Sequence, residues 1–227
     1  YVHRASRTLA LDLQLGFTPL RDGAGLDPGF REAIDLNLIA GPRLMLSITP
    51  LHQTSSAALD RPVPLNTPRN SLGVRPEICD GPEDVRKAVR RTIGRGADQI
   101  KIFADGEVVA QDKHDRTGPG QWKFSLEEIE MAVATANAAG IPVMAHAYSP
   151  QAIENCVRAG VRSIEHGNLM DEETAQLMAE HNTAYVPTLT VYDVLSRQGR
   201  EAGLDTSSLH KLRKVVDAGG QALELAY

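Results

Sequence analysis

Pro142-Val143-Met144-Ala145-His146-Ala147 is the second of three short apolar runs that carry an ionisable side chain at or near the end. Gln99-Ile100-Lys101-Ile102-Phe103 precedes it, and Val161-Arg162-Ser163-Ile164-Glu165-His166-Gly167 follows it. A segment with helical signals separates each run from the next, so the order is strand, helix, strand, helix, strand. In a parallel β/α barrel the C-terminal ends of the strands converge on one face, where their side chains can share a ligand. The pattern therefore predicts such a barrel, with its chemistry at these strand ends.

The composition agrees with one α/β domain that acts on a small molecule. The 227 residues are 42% hydrophobic, enough for one substantial core or for most of a larger domain. The balance of 24 basic and 29 acidic residues gives a formal net charge of −5, and no basic stripe is present. We therefore expect a small-molecule substrate and no nucleic-acid partner.

The cysteines and the N-terminus bear on the compartment. Cys79 and Cys156 lie far apart and belong to no Cys-x-x-Cys pair, as is typical of plain thiols in a reducing compartment. No run of about 18 apolar residues and no signal-peptide pattern occurs, so no membrane partner is expected. The chain starts at Tyr1 without Met, so a leader or a longer segment can have preceded it. The expectation is a cytoplasmic protein, with homo-oligomerisation left open.

Six strands are predicted, each followed by a helix or a helix-sized segment. They lie near residues 17–22, 43–48, 99–103, 142–147, 161–167 and 183–189. Strict alternation of this kind predicts a parallel sheet, and the apolar runs predict strands covered on both faces. Residues 49–79 interrupt the pattern with several prolines, which predicts a long irregular loop of the lid or binding type, or a disordered one.

Capping signals mark where several helices begin. Ser125-Leu126-Glu127-Glu128 is a capping box, and Asp80-Gly81-Pro82-Glu83 is a second candidate. Ser149-Pro150 has the favoured order of an N-cap followed by a first helical residue. A further helix is predicted to begin at Asp171, and a final one covers residues 208–227.

Six strand–helix units are two short of a closed eight-fold barrel, which typically takes about 250 residues. The sequence is therefore interpreted as one domain, residues 1–227, that represents about strands two to seven of a (β/α)8 TIM-type barrel. An open sheet is the alternative.

Lys101 limits the chemistry to two classes. It stands between Ile100 and Ile102 with no acid in its run, so an inward-pointing amine there is desolvated. A desolvated neutral amine can form a Schiff base, as in barrel aldolases, or can react with carbon dioxide to give a carbamate that bridges two metal ions. His146 and His166 on the next two strands favour the carbamate, because two imidazoles that face one centre are natural zinc ligands.

These runs resemble successive motifs of the amidohydrolase superfamily, and most closely those of the branch of imidazolonepropionase-like enzymes and Xaa-Pro or Xaa-Arg dipeptidases and carboxypeptidases. The motifs that carry the resemblance are 16–22, 41–43, 96–102, 142–147, 163–167 and 186–189, so it covers most of the chain.

The resemblance implies a role for five residues. Lys101 would be the carboxylated ligand that bridges two divalent ions, most simply zinc, and His146 and His166 would hold the second ion. Tyr148 would direct its hydroxyl at the substrate, with packing of its ring over the loop as the alternative. His52 falls where relatives have a Gly-Gly-His segment near the substrate, although here the segment is Pro50-Leu51-His52.

The other acidic residues near the three runs are expected to have structural roles rather than to bind the metal. Asp22 is expected to pair with Arg21 at a strand end, and Asp105 and Glu107 are expected to be solvated loop charges. Glu165 should point away from His166 because side chains alternate along a strand, toward the helix layer or toward a partner that supports the site.

Two departures from the family pattern affect the expected activity. The family's first strand carries a His-x-His pair, and no His-x-His occurs here; its last strand carries a metal-binding aspartate, and no matching strand occurs here either. The resemblance still implies a whole protein that hydrolyses amide-type bonds of N-acyl amino acids, dipeptides or cyclic amides through a metal-activated hydroxide. A Schiff-base lyase that uses Lys101 and a non-catalytic barrel are the alternatives.

Overall fold

The computed structural model describes residues 1–54, 76–109, 118–121 and 123–227. Most of the predicted loop at 49–79 lies outside these ranges. The strands are β1 Pro19–Asp22, β2 Arg43–Leu46, β3 Leu51–His52, β4 Glu77–Ile78, β5 Ile100–Phe103, β6 Val143–Ala147, β7 Ser163–His166 and β8 Ala184–Val186. The helices are α1 Val2–Gln14, α2 Pro28–Asp35, α3 Pro82–Gly94, α4 Leu126–Asn137, α5 Pro150–Ala159, α6 Glu172–Glu180, α7 Leu189–Gln198 and α8 Thr206–Ala226.

All strand pairings in these ranges are parallel. One sheet has the order β4-β3-β5-β6-β7-β8, and β1 pairs with β2 in a second, two-stranded sheet. The backbone amide of Asp98, just before β5, donates to the Leu46 carbonyl at the end of β2 at 2.7 Å and so joins the two sheets. The predicted α/β architecture, an incomplete (β/α) barrel, is confirmed.

The two faces of the larger sheet differ in chemistry because side chains alternate along each strand. Ile100, Ile102, Val143, Ala145 and Ile164 face the helices and form the main apolar core with α3, α4 and α5. Full burial of a large aliphatic side chain such as Ile stabilises the folded state by about 1.5–3 kcal/mol. The alternate positions face the inside of the barrel, and they carry the polar side chains.

Local signals explain where several helices begin. The Ser125 side chain accepts from the Glu128 backbone amide while the Glu128 carboxylate accepts from the Ser125 amide, which is the capping box that the sequence predicts. Asp171 forms a similar box with Thr174. The predicted box at residues 80–83 is wrong, since Gly81 is the N-cap of α3 and no side chain caps it.

The structure adds three elements that the pattern did not predict. β3 and β4 lie within 49–79 and have two residues each, too few to show a period of two. α7 follows β8 directly, and its N-cap Thr188 offers no side-chain cap to its own helix. In the described part of the chain, no helix combines the length and the hydrophobicity that a membrane crossing requires.

Candidate active site

Lys101 lies in the middle of β5 and faces the inside of the barrel. Its side chain is buried, and its Nζ is 5.3 Å from the centre of the Phe103 ring. Burial lowers the pKa of the amine to about 8; the nearby Glu165 carboxylate opposes this shift, and Arg21 adds to it. A larger neutral fraction of the amine at neutral pH is what both carbamate formation and Schiff-base formation require.

β6 pairs with β5 in a register that sets His146 beside Phe103. Lys101 is two residues before Phe103 and lies on the same face of β5, so it is near His146 as well. The Phe103 and His146 rings stack with 4.6 Å between their centres. Nε2 of His146 is 3.0 Å from the Gly106 carbonyl oxygen. A carbonyl only accepts, so Nε2 carries the proton and the lone pair is on Nδ1. Burial, followed by the charges of His166 and Lys101, lowers the pKa well below 6.5, so the imidazole is neutral.

His166 reaches the same place through an unusual backbone conformation. In a regular strand it would share the helix-facing side with Ile164, but its φ is +81°, and the ring lies 4.6 Å from that of His146, edge to face. Such a conformation costs a residue with a side chain about 1–3 kcal/mol and persists only where surrounding contacts hold it. One such contact joins Nδ1 to the Thr188 hydroxyl at 2.7 Å. Burial, with a contribution from Lys101, lowers the pKa of His166 to about 3.

The glycine after His166 allows a close approach. Gly167 has a φ of +58°, and a Cβ on it would lie 2.6 Å from the Tyr185 ring. A larger residue would meet both backbone strain and a steric clash.

Lys101, His146 and His166 suit a metal site but supply only part of its ligands. Both imidazoles are neutral, and each has one nitrogen held by an oxygen, an arrangement that orients metal-binding histidines. Among the described residues, no three His, Cys, Asp or Glu side chains are grouped to hold a metal ion. The site therefore offers two imidazole nitrogens, and a carbamate on Lys101 would add a third donor.

Tyr148 and His52 lie against the same rings. The Tyr148 ring is 5.2 Å from that of His166 and nearly parallel to it, and its hydroxyl is 2.7 Å from the Tyr192 hydroxyl. Burial raises the pKa of Tyr148 well above 10, so it keeps its proton. His52, at the end of β3, stacks on Phe103 with 4.0 Å between centres, and burial lowers its pKa to about 3. All five residues singled out from the sequence thus lie in one cluster of buried rings around Lys101.

Asp105 is a residue whose position was predicted wrongly. The expectation was a solvated loop charge, but the side chain is 1% exposed. Its carboxylate accepts from the backbone amides of Gly106, Gly120, Tyr148 and Ser149 and from the Ser149 hydroxyl, at 2.7–3.1 Å. It therefore ties the loop after β5 to the loop after β6. Its position two residues beyond the end of a strand was the only available signal.

The model of the Amidohydrolase family matches residues 8–225. The chain belongs to the amidohydrolase family. The superfamily resemblance carried by the strand motifs is thereby confirmed.

Several amidohydrolase relatives have names that agree with the dipeptidase branch. Ochratoxinase from Aspergillus niger is 35% identical over 217 residues, which are 91% of this chain and 44% of the relative. A crystal structure of a prolidase complexed with N-methylphosphonate-L-proline is 41% identical with a TM-score of 0.89, over 99% of this chain and 55% of that one. A Xaa-Pro dipeptidase with bound methionine in the active site is 28% identical with a TM-score of 0.77, over 97% and 53%. The chain spans about half the length of these amidohydrolases.

Two further sequence expectations about this amidohydrolase chain are wrong. Arg21 does not pair with Asp22; its guanidinium donates to Glu165 and Ser163, at 2.8 Å each. Of the two directions expected for Glu165, the helix layer is wrong, whereas a supporting partner agrees with its contacts to Ser163 and Arg21 on the inner side of the sheet. The alternation argument failed because His166, rather than Glu165, is the residue that departs from regular strand geometry.

Proposed function

We propose that the full-length protein is a metal-dependent hydrolase of amide bonds in N-acyl amino acids or dipeptides, with cyclic amides as a further possible class. The observation that carries the proposal is the meeting of Lys101, His146 and His166 at the ends of three adjacent parallel strands. The names of the relatives support the substrate class, since they include a prolidase and a Xaa-Pro dipeptidase.

Lys101, His146 and His166 would hold the metal, with Lys101 as a carbamate. The family resemblance suggests two divalent ions, zinc being the simplest choice for imidazole ligands. When bound, the ions would supply Lewis-acid polarisation of the scissile carbonyl and a nucleophilic water. His146 would bind through Nδ1, because its Nε2 proton is donated to the Gly106 carbonyl.

The rest of the cluster would bind and orient the substrate. Phe103 separates His52 from His146 and keeps water away from both rings. Tyr148 stays protonated, so its hydroxyl would donate a hydrogen bond to a substrate oxygen. His52, neutral at physiological pH, would contact the substrate from the β3 side.

The proposal concerns the whole protein, because the His-x-His pair and the aspartate of the family pattern do not occur in this sequence. Zinc content and the rates of hydrolysis of a Xaa-Pro dipeptide and an N-acyl amino acid should be measured in the full-length protein. His146→Asn and His166→Asn should each lose zinc and turnover. His210→Asn is the matched control, since His210 is exposed on α8. Wild-type zinc content and turnover in both site variants would refute the proposal.

A Schiff-base lyase is the second candidate, because the lowered pKa of Lys101 suits that chemistry equally. Borohydride treatment in the presence of a carbonyl substrate separates the two. Covalent trapping of substrate on Lys101 would support the lyase, whereas a carbamate would give no adduct.

A further inference from the structure

We propose that Thr188 and Tyr192, at the start of α7, are positioning residues that connect the metal ligand His166 to the substrate-facing Tyr148 through one hydrogen-bond chain. The inference rests on the proposed function for the roles of His166 and Tyr148. Thr188 lies in the 186–189 motif of the family resemblance, but the resemblance assigned a role to neither Thr188 nor Tyr192.

Two hydrogen-bonded pairs, which lie next to each other, bring four side chains together. Nδ1 of His166 lies 2.7 Å from the Thr188 hydroxyl. The Thr188 hydroxyl acts on the Tyr192 hydroxyl as a hydrogen-bonding neighbour that lowers its pKa, and the His166 and Tyr192 rings lie 5.7 Å apart. The Tyr192 hydroxyl lies 2.7 Å from that of Tyr148, and both tyrosines are buried.

The proposed metal sets the direction of the chain, because His166 can offer the lone pair of Nε2 only if its proton is on Nδ1. If the His166 Nδ1 proton is donated to Thr188, the Thr188 proton is available for the Tyr192 oxygen. A buried hydroxyl proton needs an acceptor, and the acceptor next to Tyr192 is the Tyr148 oxygen. The Tyr148 proton then points out of the chain and can be donated to a substrate. The same order leaves the lone pair of His166 on Nε2, where a metal ion can take it.

The conformation of Thr188 supports this assignment. An N-cap threonine normally has an extended backbone and accepts a hydrogen bond from its own helix. Thr188 instead has a φ of +49° and makes no side-chain cap. Its hydroxyl is used across the β7–β8 boundary, so the helix gives up its cap in favour of His166. His166 and Thr188 therefore hold each other in left-handed conformations at the ends of neighbouring strands.

The far end of the chain is anchored by packing. Tyr148 and Tyr192 belong to one apolar cluster with Val108 and with Leu212 and Val215 of α8. This cluster excludes water from the two hydroxyls, and in such surroundings successive hydrogen bonds strengthen one another.

The first experiment measures zinc affinity of the full-length protein against a competing chelator, and it does not depend on turnover. Thr188→Val should weaken zinc binding about 10- to 100-fold, the usual effect of removing a partner that orients a metal-binding histidine. Thr188→Ser keeps the hydroxyl and should restore the affinity. Wild-type affinity in Thr188→Val, or failure of Thr188→Ser to restore it, would overturn the His166–Thr188 part of the inference.

The second experiment is a double-mutant cycle on turnover. Tyr192→Phe should lower kcat about tenfold with little change in KM or zinc content, because Tyr148 loses its orientation. In a Tyr148→Phe background the same substitution should change kcat less than about twofold. Tyr185→Phe is the matched control: its hydroxyl is buried without a partner in the described part of the chain, and the variant should keep wild-type kcat. Additive effects of Tyr192→Phe and Tyr148→Phe would overturn the inference.

The two failures are distinguishable. Zinc binding that depends on the Thr188 hydroxyl, in a protein that hydrolyses no amide, would refute the proposed reaction and support the chain. Amide hydrolysis that Thr188→Val and Tyr192→Phe leave unchanged would support the proposed reaction and refute the hydrogen-bond chain.

Discussion

The two ends of the same parallel sheet keep their polar groups buried in different ways. Toward the C-terminal ends of β5 to β7, Lys101, His146 and His166 lie among aromatic rings. Burial lowers the pKa of all three and so favours their neutral forms. At the N-terminal ends, a cavity of about 260 Å³ is bordered by Arg21, Gln99, Arg162 and Ser163, and from this side Arg21 reaches Glu165, which is level with His146 in the sheet.

The difference shows which end is suited to chemistry. Neutral imidazoles and a weakly basic amine keep lone pairs that a ligand can use, whereas an arginine–carboxylate pair has its charges already satisfied. In barrel enzymes the C-terminal face carries the active site and the opposite face contributes stability. The contrast within one sheet therefore yields opposite expectations for substitutions at the two ends.

The largest effect is expected at the C-terminal end. Lys101→Met keeps the length of the side chain but removes the amine, and with it the bridging ligand of the proposed metal site. Turnover of the full-length protein should fall by about 10³-fold or more, since a Lewis-acid site supplies several kcal/mol and each 1.36 kcal/mol is tenfold. Zinc content should fall with it. In metal-free protein, the unfolding temperature should stay the same or rise, because a buried amine has been replaced by an apolar group. Full turnover in this variant would show that the C-terminal end of the sheet does not carry the chemistry.

A smaller effect of a different kind is expected at the opposite end. Arg21→Met leaves the Glu165 carboxylate buried without its charged partner and should lower the free energy of unfolding by about 2–3 kcal/mol in denaturant titration. Arg197→Met is the control, since the Arg197–Asp193 pair is exposed and its loss should change stability by less than about 1 kcal/mol. A stability change in Arg21→Met no larger than that of the control would show that the N-terminal pair is not structural.

The smallest effect concerns a carboxylate that lacks a compensating charge. Burial raises the pKa of Asp22 to about 6, although the backbone amides of Leu26 and Ala24 offset part of the shift. Because the folded state holds this proton more tightly than the unfolded chain, stability is lost as pH rises from about 4 to 6. Asp22→Asn should therefore be more stable than wild type by about 1–2 kcal/mol above pH 6 and equal to it below pH 4. Urea titrations at pH 4 and pH 7 measure the difference, and a constant gap between the two proteins would contradict the assignment.

Much of the fold could be predicted because its signals are local. The six longer strands follow from apolar runs, and the helices at Ser125 and Asp171 follow from capping residues that contact only their own first turns. β3, β4 and α7 were missed. The first two are held by neighbouring strands rather than by a pattern of their own, and the N-cap of α7 uses its hydroxyl elsewhere.

The sequence predicted which residue types lie at adjacent strand ends but not the geometry in which they meet. Lys101, His146 and His166 stand at strand ends, which is a property of the sequence. The burial of Asp105 depends on hydrogen-bond donors from the loops after β5 and β6, and the residues next to Asp105 in sequence do not predict these donors. The same holds for Arg21, whose partner Glu165 is 144 residues away.

By itself, the sequence determined the alternation of strands and helices, the apolar faces that pack them, and the three residue types offered at adjacent strand ends. Those properties depend on side-chain spacing within a few residues. Only the tertiary structure decided that His166 turns toward His146, that Thr188 hydrogen-bonds His166 and Tyr192 hydrogen-bonds Tyr148, and that two neutral imidazoles and an amine of lowered pKa lie together on the inner face of the sheet. Left-handed backbone, hydrogen-bond direction and burial are set by contacts between segments far apart in the chain, and these contacts exist only once the strands have come together.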